Sequence, residues 1–246
     1  AGAAKKNLSA LTLELTGNIT ANDLSYTQLT VPKLAASATK PLKLGYTFDN
    51  AQLDHLSAEF ALSCPTAVWG DSALKLENVK TNIALAAPNN TSNTRITLRD
   101  ASAELFGGTI RIPESSLNLN EKQHQLTLKL EALDLAQILS LYQQEKFAVT
   151  GVIDGSLPVA FGENGISVEK GTVETRAPGG TISYQGPTEE LLGDVEENPN
   201  LALVAQALRN FRYSALNANV AYGVSGDLVL QVQSSRTRKG KLCREM

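Results

Sequence analysis

The sequence predicts a mainly β fold of many short antiparallel strands, arranged as a sandwich, a barrel or a long curled sheet, with two short amphipathic helices. Leucine alternates with polar residues at period two through most of the chain. Turn-forming residues interrupt that alternation at short intervals, and a helical period surfaces only twice.

In chain order, Leu11, Leu13 and Leu15 alternate with Thr12, Glu14 and Thr16, and Leu74 and Leu76 alternate with Lys75 and Glu77. Ile83 and Leu85 follow two residues apart. Ile110 and Ile112 bracket Arg111, Leu117 and Leu119 bracket Asn118, and Leu126, Leu128 and Leu130 bracket Thr127 and Lys129. Leu228, Leu230 and Val232 close the series. Each segment presents one apolar and one polar face, as a half-buried antiparallel strand does. The turns are expected at Asp49-Asn50, Pro88-Asn89-Asn90, Gly107-Gly108, Asp154-Gly155, Asn164-Gly165, Gly179-Gly180 and Gly226-Asp227.

The helical period begins at Asp134, an N-cap for Leu135, Ile138, Leu139 and Tyr142 at the i, i+3, i+4, i+7 spacing. Pro199 and Asn200 open a second stretch with Leu201, Val204, Ala205 and Leu208. Each reads as a cover over an end or face of the sheet, or as a lid or partner-docking helix. One internal echo joins two regions: Leu105-Phe106-Gly107-Gly108-Thr109-Ile110 returns as Ala177-Pro178-Gly179-Gly180-Thr181-Ile182. Paired glycines entering a strand allow a positive φ or a bulge, expected at Gly108 or Gly180, so Gly107, Gly108, Gly179 and Gly180 are read as structural.

Composition removes several functions. The 246 residues carry 22 Lys+Arg against 25 Asp+Glu, a net charge of −3, and 5 % aromatics. Nucleic acid is therefore not an expected partner, since binding it needs a basic stripe or stacking platform. Leucine supplies 36 residues, so the apolar surface is aliphatic, yet no run approaches the ~18 residues of a membrane span. Cys64, Cys243, His55 and His124 are scattered, which predicts no disulfide, metal site or cofactor. His124 reads as an exposed edge residue. The acidic run Glu189, Glu190, Asp194, Glu196 and Glu197 lacks the spacing of a calcium loop. No nucleophile elbow, phosphate-binding loop or His-Glu-x-x-His occurs, so no catalytic residue is assigned. Asp154 and Glu163 are the carboxylate pair that a β-sandwich glycosidase would need, with nothing in the sequence to bring them together.

The stretch FAVTGVIDGSLPVAFGENGISVEKGTVETRAPGGTISY, residues 147–184, carries a resemblance. With the earlier ELFGGTIRIPESSLNLN and the later LALVAQALRNFRYSALNANVAY and GDLVLQVQ, it resembles the C-terminal portion of the AsmA-like proteins of Gram-negative bacteria, in their YdbH-like branch. The match covers roughly residues 100–233; residues 1–99 fit it in style. The resemblance implies an elongated, curled sheet forming an open apolar trough, a β-taco, within a periplasmic bridge that conducts phospholipids between inner and outer membranes. It implies acyl chains as ligands, a small outer-membrane lipoprotein as partner, and an inner-membrane anchor ahead of Ala1. The alternating residues named above, Leu11 through Val232, become the groove lining. Residues 1–233 read as one such segment. The basic run 234–246 departs from the family pattern and reads as a non-native tail. A structural β-solenoid with a sealed core remains an alternative, as does an older family label of dicarboxylate transport, which an apolar trough does not support.

Overall fold

The computed structural model describes residues 10–26, 29–49, 52–70, 74–88, 93–141, 146–186 and 209–235. The period-two segments become strands: β1 (Ala10–Leu15), β2 (Asn18–Tyr26), β3 (Leu29–Thr47), β4 (Gln52–Trp69), β5 (Leu74–Pro88), β6 (Arg95–Leu105), β7 (Gly108–Ile112), β8 (Ser115–Asn118) and β9 (Gln123–Asp134). After helix α1 (Leu135–Ser140) follow β10 (Phe147–Thr150), β11 (Val152–Gly162), β12 (Gly165–Thr175), β13 (Gly180–Tyr184), β14 (Phe211–Tyr213), β15 (Ala215–Tyr222) and β16 (Leu228–Ser235). Thirteen strands form one sheet in the order β1-β3-β4-β5-β6-β7-β9-β11-β12-β15-β16, with β2 also on β3 and β8 also on β6. The path ends at β1 and β16 without returning on itself. A second sheet joins β10, β13 and β14.

The chain divides into two compact units. One comprises Ala1–Leu105, Ile110–Leu128 and Pro158–Ser167; the other comprises Phe106–Thr109, Lys129–Leu157 and Val168–Met246. In the first, long antiparallel hairpins predominate, and β3 pairs with β4 along nearly its full length. In the second, α1 starts where Asp134 accepts a 2.8 Å hydrogen bond from the Ala136 amide, the cap expected from sequence. The helix spans only Leu135–Ser140, shorter than the periodicity suggested, and Tyr142 lies outside the described residues. So do the second helical stretch from Pro199 to Leu208, the acidic run and residues 236–246.

Two turn expectations change. Asp154-Gly155 is not a turn but lies within β11. Glycine is required there because a Cβ would sit 2.8 Å from the Thr172 carbonyl oxygen and 2.8 Å from Val173 Cγ1. In the two glycine pairs the positive φ falls on the first member, +71° at Gly107 and +90° at Gly179. The second member answers a different demand. A Cβ on Gly108 would overlap the backbone of Glu131 and Ala132, and one on Gly180 would overlap the Thr150 carbonyl and the Tyr213 hydroxyl.

The long strands contain a device that strict alternation hides. Leu76 and Ile83 are seven residues apart, so simple alternation would put them on opposite faces. Asn78, at φ +50°, shifts the phase by one, and the half-buried series runs Leu74, Leu76, Val79, Thr81, Ile83. Asp23 (φ +54°) does the same in β2 and Asp100 (φ +53°) in β6. Asp and Asn tolerate this left-handed region better than most side chains. Across the ladder the phase shifts too. Flanking pairs Asn22↔Lys33 and Leu24↔Val31 put Asp23 opposite Pro32, and Cys64↔Val79 and Thr66↔Glu77 put Asn78 opposite Pro65. Proline, which has no N–H to give the ladder, stands at each of these unpaired positions, and the register continues unshifted beyond it.

Candidate functional site

In the first unit, cross-strand register assembles the expected apolar residues into rows. Leu11, Leu13 and Leu15 face Tyr46, Leu44 and Leu42, and Leu44 in turn faces Leu56. One row runs Ala38, Phe60, Ile83, Leu98 over four strands, and another runs Ala58, Leu85, Ile96, Leu117. Leu74 and Leu76 face Trp69 and Ala67. Ile110 and Ile112 are half-buried on β7, as are Leu126 and Leu128 on β9. In the second unit, Leu228, Leu230 and Val232 face Tyr222, Val220 and Ala218, while Leu130 is buried.

Burial follows position in the sheet. Ala58, Ala67, Ala87, Ala101 and Ala103 are buried on the inner strands β4–β6, as are Leu105, Leu133 and Ile153 on β6, β9 and β11, whereas Leu15 on β1, Leu119 beyond β8 and Leu230 on β16 are 57 %, 51 % and 54 % exposed. Among the described residues no large side chain falls below 2 % exposure. β16, at the end of the strand path, exposes Val229 as well as Leu228 and Leu230, so both of its faces carry uncovered apolar side chains.

The polar face is held by ion pairs. In the first unit Glu59 lies 2.7 Å from Lys40 and 4.0 Å from Arg99, and Arg99 Nε lies 3.1 Å from Glu114. In the second, Arg176 grips Asp154 with both Nε (2.6 Å) and Nη2 (2.7 Å). Asp154 also accepts from the amide of Ala132 (2.9 Å), a non-glycine residue at φ +59°. The Arg176 guanidinium, hydrogen-bonded to Asp154, holds its carboxyl below the usual range; partial burial opposes this and the Ala132 amide reinforces it. Glu163 pairs with Lys122 at 3.3 Å, so each carboxylate of the hypothetical glycosidase pair has its own cationic partner. A concavity of about 930 Å³ in the second unit is lined by polar side chains including Lys129, Glu131, Asp154, Arg176, Asn217 and Gln233. Leu130 also borders it; the other expected groove residues do not.

The remaining candidates resolve individually. Cys64 is a buried free thiol donating to the Thr66 carbonyl oxygen at 2.8 Å, and Cys243 lies outside the described residues. His55 covers Gly45, and Asp54 beside it accepts from the Thr47 hydroxyl. His124 is not an exposed edge residue. Its strand lies between β7 and β11, and its ring is half-buried against Phe161, centroids 5.4 Å apart. Among the described residues no group of three or more His, Cys, Asp or Glu could hold a metal ion, and no helix is long and apolar enough to cross a membrane.

The sequence profile of the YdbH-like family, described as the intermembrane phospholipid transport protein YdbH, matches residues 70–234. The chain belongs to the YdbH-like family. No curated protein and no solved structure matches it. The YdbH-like match begins just before β5 and ends within β16, so it takes in the second sheet and parts of both units and leaves β1–β4 outside. The substrate class of this family is amphiphilic, an acyl portion joined to a charged head. Sequence reading of this YdbH-like chain missed two features, the left-handed Asx residues and the place of His124. The first carries a visible signal: Ala21-Asn22-Asp23-Leu24, Leu76-Glu77-Asn78-Val79 and Leu98-Arg99-Asp100-Ala101 each step from apolar to apolar over three residues rather than two.

Proposed function

We propose that this chain is a segment of a bridge that conducts phospholipids between inner and outer membranes, with acyl chains moving along the apolar sheet face. The observation that carries this reading is the exposure of large aliphatic side chains on β1, β2 and β16 of a sheet whose strand path stays open. Such a surface offers dispersion contacts to a mobile chain without a shaped pocket to retain it. The alternating residues from Leu11 to Val232 line the groove in this reading, and the sheet forms an open trough around it. The segment acts without catalysis, in the periplasm, as part of an inner-membrane-anchored protein that meets a small outer-membrane lipoprotein.

The test is lipid mass spectrometry of the protein extracted and purified without added lipid. The expected result is co-purified phospholipid that is lost when Phe60, which faces Ile83 across the β4–β5 ladder, is replaced by Asp. Lipid-free protein at every extraction condition would favour the sealed solenoid.

A further inference from the structure

We propose that the strand end formed by Lys122, His124, Phe161 and Glu163 receives the phosphate of a glycerophospholipid whose acyl chains lie on Leu126 and Leu128. The inference rests on the transport reading and adds to it the place of the head group. His124, Leu126 and Leu128 occupy alternate positions of β9 and therefore share a face, with Lys122 at the turn just before. One strand face thus passes from cation to imidazole to leucine, the polarity order of a phospholipid from phosphate to hydrocarbon. From His124 to Leu128 the strand advances ~13 Å, close to the ~15 Å hydrocarbon depth of one leaflet.

The surroundings favour that placement. Imidazole presents a ring N–H donor to a phosphate oxygen, and contact with Phe161 holds its ring at the margin of the apolar face. Lys122 and Glu163 are 80 % and 70 % exposed, so their 3.3 Å pair is an open surface contact that a phosphate can exchange into. Three aromatic residues of this unit lie at strand ends, Tyr46 and Phe48, edge-on at 5.1 Å beside one turn, and Trp69 at the end of β4, while Phe60 lies in mid-strand. Amphipathic rings prefer such boundaries between hydrocarbon and water, as they do at the membrane interface.

Only two histidines occur, His55 and His124, so their imidazole proton resonances can be followed separately by NMR. The protein is titrated with dihexanoyl phosphatidylglycerol, with dihexanoylglycerol and with inorganic phosphate, and in parallel crosslinked to a photoactivatable phospholipid from position 128. The expected result is a saturable shift of His124 alone, with phosphatidylglycerol only. H124F, which keeps a ring against Phe161, and K122Q should each weaken phosphatidylglycerol binding roughly tenfold and leave dihexanoylglycerol binding unchanged. Crosslinking from position 128 with a silent His124 would overturn this assignment while leaving the transport reading intact. Loss of both signals would overturn both. A His124 shift with inorganic phosphate alone would make this an anion site unrelated to lipid.

Discussion

Gly180 shows how little room some residues of this chain have. Its neighbours on the Cβ side are the Thr150 carbonyl and the Tyr213 hydroxyl, themselves joined by a 2.6 Å hydrogen bond. Neither can retreat without breaking that bond, so G180A should destabilise by at least ~2 kcal/mol in chemical denaturation. Unchanged denaturation midpoints would refute this steric account. Tyr213 is buried, and that burial raises its phenol pKa, which keeps the hydroxyl a donor. Asp154 gives a pH-dependent counterpart. Its carboxyl titrates lower folded than unfolded, so its contribution is complete above the unfolded value of ~3.9 and is lost as pH falls through the folded one. D154N should therefore lower stability at neutral pH and flatten its decline below about pH 4. A parallel decline in parent and variant, followed by thermal melts across that range, would show that the Arg176 pair is not the source.

At the scale of elements, the left-handed Asx residues let strands such as β5 and β6 keep one apolar face. Asn78 lies at φ +50° and its side-chain amide donates to Glu104 at 2.9 Å, an exposed contact of little weight. The conformation matters more than that hydrogen bond. N78G should leave stability within ~0.5 kcal/mol, while N78V, β-branched and forced to positive φ, should cost ~1–3 kcal/mol. Equal stability of the two variants would mean that the phase shift does not depend on this residue. The period-two segments were legible as strands because alternation follows directly from the pleat, and Asp134 was legible as a helix cap. The Asp154-Gly155 pair was misread as a turn because turn chemistry is local. Its true role depends on Ala132 of β9, Thr172 of β12 and Arg176 just beyond β12.

For the whole molecule, the open-groove proposal and a sealed core differ most sharply at Leu128, half-buried in mid-strand. In a sealed core, L128R would bury an unpaired charge and unfold a marginal domain. On an open face the long side chain can lift its head group to water. L128R should therefore melt within a few degrees of the parent, crosslink lipid more weakly and fail to complement loss of the protein in cells. An insoluble variant would favour the sealed core, and a folded, fully active one would remove Leu128 from the transport path.

By itself the sequence determined that this chain is a succession of antiparallel strands with one aliphatic face, because side-chain alternation is a property of each strand alone. The order of its motifs also carried the resemblance to the family that the profile match establishes. Only the tertiary structure decided which apolar segments share a face, since that depends on the φ of Asp23, Asn78 and Asp100 and on the prolines opposite two of them. It alone placed His124 against Phe161 and Asp154 beneath Ala132. Such contacts are made between strands distant in sequence, where register rather than local propensity selects the neighbours.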